Sequence, residues 1–298
     1  MPEQSLEEYL GKKPEPQEEK ADGDSLDEYL GKKPELQEES DNEGRILFNT
    51  SCTLEDFGMK GAVGPKHYVA LSGGKDSSAM LVRMLEIGMP VDYVLFADTG
   101  MEFPEIYAQL RKMDSWLRTN YDLNITWLKP MSTWDTWFYG AVTRGKMKGQ
   151  RRGYPLFLYP CWWTREAKFK VMDPIIGCGN FRYIGFAADE MKRCKPRPGY
   201  RYPLAEWGWT EKDALDYLTT KGLDAPIHHK FKRTGCYLCP KQHVRSLHTL
   251  SKEYPVLWAE AKRYEADSPQ GFRPGLKLSD IEQGRTQFTG PQEAGVFG

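Results

Sequence analysis

Tyr68-Val69-Ala70-Leu71-Ser72-Gly73-Gly74-Lys75-Asp76-Ser77-Ser78-Ala79-Met80-Leu81-Val82-Arg83-Met84-Leu85 is the stretch that decides the fold. Its first four residues are an apolar run that predicts a buried parallel strand. Ser78 to Leu85 predict a helix, and the glycine pair between them predicts a turn that lets a ligand approach the backbone closely. A helix start in that position offers unpaired N–H groups and the positive end of a dipole to an anion. Lys75 adds a mobile charge, Ser72 and Ser77 add hydroxyl donors, and Asp76 is a candidate oxygen ligand for Mg²⁺. The spacing differs from the P-loop, in which four residues separate the glycines and a Lys-Ser/Thr pair closes the motif.

Outward from this loop the pattern repeats. Val91–Ala97 predicts a second strand ending at Asp98-Thr99-Gly100, and Phe103-Pro104-Glu105 opens a helix carrying Ile106, Tyr107, Leu110, Met113, Trp116 and Leu117. Asn124–Leu128 and Phe181–Phe186 predict a third and a fourth strand, and Thr210-Glu211-Lys212-Asp213 caps a helix through Leu218. Alternating strands and helices imply a doubly wound α/β fold with a mostly parallel sheet covered on both faces. Ligands in such sheets sit beyond the carboxyl ends of the strands. Ser72–Ser77 and Asp98–Gly100 both fall there.

The chain has 298 residues, 40% of them apolar and nine of them tryptophan, enough to fill a core. No run approaches the roughly 20 apolar residues needed to span a bilayer. The acidic N-terminal segment lacks a signal-like apolar region. These features predict a cytoplasmic protein with no membrane partner. Six cysteines in a reducing compartment then point to metal ligation or redox work rather than disulfides. Residues 1–44 hold 5 Lys or Arg against 15 Asp or Glu, a net −10 that leaves +9 on the remainder. A basic body suits an anionic substrate such as a nucleotide, a sulfate ester or a nucleic acid.

The organisation expected is an acidic tail over 1–44, a catalytic domain over 45–270 and a C-terminal tail over 271–298. In the first tail, Ser5–Pro14 returns almost unchanged as Ser25–Pro34. Each copy predicts a short helix with a capping box and a glycine stop. The repeat reads either as a duplicated docking peptide for a protein partner or as a solvated, disordered acidic segment.

The Ser72–Ser77 loop resembles the SGGKDS signature of the PP-loop ATP pyrophosphatases, which cleave ATP between the α and β phosphates. With Asp98-Thr99-Gly100-Met101-Glu102-Phe103-Pro104-Glu105 it resembles the phosphoadenylylsulfate (PAPS) reductase family of that group, an adenine nucleotide alpha hydrolase-like fold. The later segments Ile184–Glu190 with Arg193, Tyr202-Pro203-Leu204 with Trp207, and Gly235–Pro240 fit the same order. Many members of that family are phage- or plasmid-borne. The resemblance implies a catalytic pair, Lys75 and Asp76. It implies a nucleotide site of Ser72, Gly73, Gly74, Lys75, Asp76, Ser77, Asp98, Thr99, Gly100, Gly185, Asp189, Glu190 and Arg193. ATP or a PAPS-like sulfonucleotide is the ligand, with Mg²⁺ near Asp76 and Asp98. The chain departs from the reductases in one respect: no cysteine follows Cys239, where they carry a catalytic one.

Cys236 and Cys239 form a tight knuckle between Gly235 and Pro240. Cys161 resembles the cysteine that precedes a basic helix in iron–sulfur members of the family. Cys161, Cys236 and Cys239 are therefore candidate ligands of a [4Fe–4S] cluster, with Cys194, Cys178 or no protein group as the fourth. The alternatives are structural Zn²⁺ on Cys236, Cys239 and His243, or a plain dithiol. Cys52 reads as incidental, and His228 and His229 as loop histidines. Arg144–Lys170 interleaves basic and aromatic residues, which suits either a lid over phosphates or contact with a nucleic-acid acceptor. Trp134, Trp137 and Phe138 read as core.

Three functions are open at this point. The first is an enzyme that couples α–β cleavage of ATP to sulfur transfer or redox chemistry. The second is a PAPS or adenylylsulfate reductase that borrows an external thiol. The third is a non-catalytic nucleotide sensor in phage or DNA-modification functions.

Overall fold

Tyr68, Val69, Val94, Leu95 and Phe96 are the buried residues around which the sheet is laid. A computed structural model of the chain describes residues 64–285. The N-terminal repeats, Cys52 and the last thirteen residues lie outside the described residues. The strands are β1 (His67–Ala70), β2 (Tyr93–Ala97), β3 (Ile125–Leu128), β4 (Phe181–Ile184) and β5 (Tyr200–Arg201). They form one sheet in the order β3-β2-β1-β4-β5, and every pairing is parallel. The chain winds outward from β1 in both directions, so the strand order reverses between β1 and β4. A crevice opens at the carboxyl ends of strands flanking such a reversal.

The strands are shorter than the apolar runs suggest, and the ends have local causes. Asp92 is withdrawn from β2 because its carboxylate accepts from His67 N at 2.8 Å. β4 stops at Ile184, where the carbonyl turns to accept from Phe186 N. β5 has only two residues and no apolar run, so nothing in the sequence pattern announces it.

Helix α1 (Lys75–Glu86) buries Met80, Leu81 and Met84, and α2 (Pro104–Tyr121) buries Ile106, Leu110, Met113 and Leu117 at helical spacing. After α3 (Trp134–Tyr139) an aromatic layer forms a second packed region. Trp134 stacks on Trp162 with centroids 5.0 Å apart, Phe138 meets Tyr264 at 4.8 Å, and Tyr154 meets Phe272 at 5.1 Å. Tyr154 and Trp163 are buried here, so they are core rather than stacking surface; Tyr159 remains exposed. Trp137 takes the Arg152 guanidinium over its ring at 4.6 Å.

The chain re-enters the sheet through a helical start at Trp162–Thr164, a π-helical turn over Arg165–Phe169 and α4 (Lys170–Ile176). Helix α5 (Glu211–Thr220) begins with the expected capping box: Asp213 N donates to Thr210 Oγ1 at 3.2 Å and Thr210 N donates to Asp213 Oδ2 at 2.8 Å. Helices α6 (Val244–Glu253) and α7 (Pro255–Asp267) complete the layer. Phe272, Leu276, Leu278 and Ile281 are buried, so the boundary expected at residue 270 falls inside packed structure. Among the described residues no helix is long and apolar enough to cross a membrane.

The approach of β4 to the start of α1 fixes how the crevice is shaped. A Cβ on Gly185 would stand 2.7 Å from both Cα and N of Ser77. No flexible side chain is there to yield, since both atoms are backbone. We expect Gly185→Ala to cost about 1–3 kcal/mol, the range for overpacking a tight site. Urea unfolding measures it, and an unchanged midpoint would show that the two segments are not in contact.

Candidate nucleotide site and cysteine group

The glycine loop is organised by its own hydroxyls. Ser72 N donates to Ser77 Oγ at 3.0 Å, the two Oγ atoms are 2.9 Å apart, and Gly74 N donates to Ser72 Oγ at 3.3 Å. Gly73 has φ of +72°, and a Cβ there would meet Ile106 Cγ2 at 2.8 Å, so only glycine fits between loop and α2. Gly74 is the N-cap of α1 and has no side-chain cap hydrogen bond. The first-turn amides of Lys75, Asp76 and Ser77 have no intrahelical carbonyl to bind. They are the donors an anion would use.

Lys75 sits between two carboxylates. Its Nζ donates to Glu211 Oε2 at 2.7 Å and to Asp76 Oδ2 at 3.1 Å. Burial alone would depress its pKa, but Asp76 and Glu211 outweigh that and hold it above the ordinary lysine value. Asp76 moves the other way: burial raises it to about 6 despite Lys75, with Glu211 and Glu190 adding to the rise. Its Oδ1 is buried without a partner. A buried, unsatisfied carboxylate oxygen fits a hard cation such as Mg²⁺.

Glu211 is brought to the loop by the segment after β4. Asp189 Oδ1 accepts from Glu211 N at 3.2 Å and so ties that segment to the start of α5. Glu190 and Arg193 pair with each other, and the Arg193 guanidinium lies 4.1 Å over the Phe186 ring. Gly185 serves as the close spacer described above.

The loop after β2 supplies the opposite wall. Asp98 Oδ1 accepts from Tyr107 OH at 2.7 Å and from Gly100 N at 2.9 Å. Thr99 Oγ1 donates to Glu102 Oε1 at 3.0 Å and lies 3.6 Å from Cys236 Sγ. Tyr237 N donates to Met101 O at 2.9 Å, so the cysteine knuckle is bonded directly to this loop. Glu102 is buried, its Oε2 lacks a partner, and burial raises its pKa although Lys168 stands 3.8 Å away. Lys168 would be depressed by burial, but Glu102 and then the sulfurs of Cys236, Cys161 and Cys239 hold it up. Those three cysteines therefore lie within electrostatic range of Lys168, which the π-helical turn carries. Burial pushes the thiols of Cys236 and Cys239 upward.

The fourth ligand named from sequence is not with them. Cys194 ends the helical turn after β4 and lines a separate cavity of about 560 Å³ with Met191, Arg197, Tyr200 and Tyr202. Cys178 precedes β4, at the end of the sheet away from the crevice, and is disulfide-bonded, so against expectation it offers no thiol to a metal. Among the described residues no three His, Cys, Asp or Glu side chains converge tightly enough to hold a metal as they stand. The three thiols near Lys168 are right in kind for a soft metal, but as they stand they do not form a metal-holding group.

Residues 66–139, which hold the glycine loop and the Asp98–Glu102 wall, match the phosphoadenosine phosphosulfate reductase domain family. This is a PAPS reductase-like domain. The match covers that segment and not the rest of the chain. An uncharacterized protein of Methanocaldococcus jannaschii is 25% identical over 214 residues, 64% of this chain and 39% of that one. A second uncharacterized protein of the same organism is 23% identical over 68% of this chain and 49% of its own length. An uncharacterized nin region protein of Escherichia phage lambda is 28% identical over 62% of this chain and 69% of its own. The chain thus spans half or less of the first two relatives. A crystal structure of PAPS reductase from Candida auris, in a phosphate complex, covers 58% of this chain and 82% of that one at 18% identity and a TM-score of 0.37.

Sequence reasoning named the loop residues but not three of their partners. Glu211 read as part of a helix cap, His228 as a loop histidine, and Lys168 as one charge in a basic run. His228 Nε2 in fact lies 3.1 Å from Gly73 O.

The Asp76 environment has a measurable pH signature. Its carboxyl moves from the usual 3.8 to about 6, so between those values the folded chain holds the proton more tightly than the unfolded one. Stability must then fall as pH rises from about 4 to about 6. Asp76→Asn stays neutral throughout. We expect its stability relative to the parent to improve across that window and level off above it, as read from urea midpoints at several pH values. A gap independent of pH would contradict the assignment.

Proposed function

We propose that the chain is an adenine-nucleotide enzyme that cleaves ATP between the α and β phosphates and spends the activated product in sulfur transfer or redox chemistry. The observation that carries this reading is Lys75, held by Asp76 and Glu211 beside a glycine loop with free first-turn amides. Those amides and the two serine hydroxyls would bind the polyphosphate. An acceptor oxygen attacks the α phosphorus, the bond to the bridging oxygen breaks, and pyrophosphate leaves with the electron pair. Lys75 would offset the charge that develops on that leaving group. Asp76 and Asp98 would orient a bound Mg²⁺, which supplies further charge neutralisation when present.

We expect Lys75→Ala to lower pyrophosphate release from ATP by roughly 10²-fold, the usual loss of one charge-stabilising group in a reacting site. Turnover equal to the parent's would remove the reading. The family match itself favours a second substrate, a sulfonucleotide reduced with an external thiol, and sulfite release from that nucleotide distinguishes it. A nucleic-acid acceptor, a protein partner for the N-terminal repeats and a cytoplasmic location remain parts of the proposal, supported by charge and repeat pattern alone.

The thiols are proposed to serve as a sulfur or redox relay, with an iron–sulfur cluster or Zn²⁺ as the two metal readings. Binding either would require losing the thiol protons. Iron and zinc analysis of anaerobically purified protein decides between them. We expect Cys161→Ser, Cys236→Ser and Cys239→Ser each to lower the metal content and Cys194→Ser to leave it unchanged. A metal-free parent protein would discard both metal readings and leave the dithiol.

A further inference from the structure

We infer that His228 is a positioning residue for the phosphate loop, holding the Gly73–Gly74 peptide so that the Gly74 N–H, and not the Gly73 carbonyl, faces the bound polyphosphate. This rests on the nucleotide-site reading above and deepens it. His228 lies on the one-turn helix Ile227–Lys230 and is 5% exposed. Its Nδ1 accepts from Ala225 N at 3.2 Å. In a neutral ring the proton is then on Nε2, which donates to Gly73 O at 3.1 Å. Burial lowers the ring's pKa, so the neutral form persists beside Lys75, Asp224 and His229.

The consequence follows from peptide geometry. In a trans peptide the C=O and the following N–H point in opposite directions. Drawing the Gly73 carbonyl toward His228 therefore drives the Gly74 N–H the other way, to the side where Ser72 Oγ lies 3.3 Å off. A peptide between two glycines resists rotation weakly, because neither residue carries a Cβ. Left alone, it could turn and present the negative end of its dipole to the anion. Thr234 closes the same side, since a Cβ on Gly74 would meet its Oγ1 at 3.3 Å.

Calorimetric titration of the full chain with ATP tests this with two variants. His228→Gln keeps an amide donor that reaches Gly73; His228→Leu keeps bulk without one. We expect the Gln variant to bind within about threefold of the parent and the Leu variant at least about tenfold more weakly, the size of one lost hydrogen bond to an oriented group. A Leu variant that binds like the parent overturns the inference, and so does a Gln variant as weak as the Leu one. A parent that binds no adenosine polyphosphate instead overturns the nucleotide reading, and this inference with it, so the two failures are separable. Should the Leu variant not fold, nitrogen-15 NMR of the parent decides: a ring protonated on Nε2 at neutral pH is expected, and a proton on Nδ1 overturns the inference.

Discussion

The close passage of the chain at Gly185 over the first turn of α1 is the constraint on which the crevice depends. Backbone meets backbone there, with no room for even a methyl group. That contact sets β4 beside β1 and brings the segment after β4 across the end of the helix. Asp189 then reaches Glu211, and Glu211 reaches Lys75. The lysine's position is thus the last link in a relay that starts from a missing side chain.

Two partly buried cations stand in the candidate site, and they differ in what they face. Lys75 has two carboxylates, Asp76 and Glu211. Lys168 has one carboxylate, Glu102, and three sulfurs. Lys75 follows β1, and Glu102, the partner of Lys168, follows β2, its neighbour in the sheet.

Much of this was legible in the sequence, and the limits have physical causes. The alternation of apolar runs with helical periods foretold the sheet, and the glycine loop marked the candidate site, because both are local patterns. β5 escaped notice because two polar-aromatic residues form it by pairing with β4 alone. The aromatic residues of Arg144–Lys170 looked like a binding surface, since spacing does not report burial; Tyr154 and Trp163 turned out to fill a core. Glu211 and His228 could not be tied to the loop from sequence, as they lie 136 and 155 positions from the residues they hold. Cys194 had the right chemistry and the wrong strand edge.

The wide turn over Arg165–Phe169 bears on how this region tolerates length change. A π turn is one residue looser than an α turn, and each residue of a helix advances by about 100°. Losing a single amino acid there would restore regular winding and keep the helix intact. The wide turn takes up its extra residue locally, so the turns on either side, that of Cys161 included, would keep their facing while the side chains within Arg165–Phe169 change theirs. A deletion there would thus be felt at the middle of the segment, where Lys168 stands 3.8 Å from Glu102.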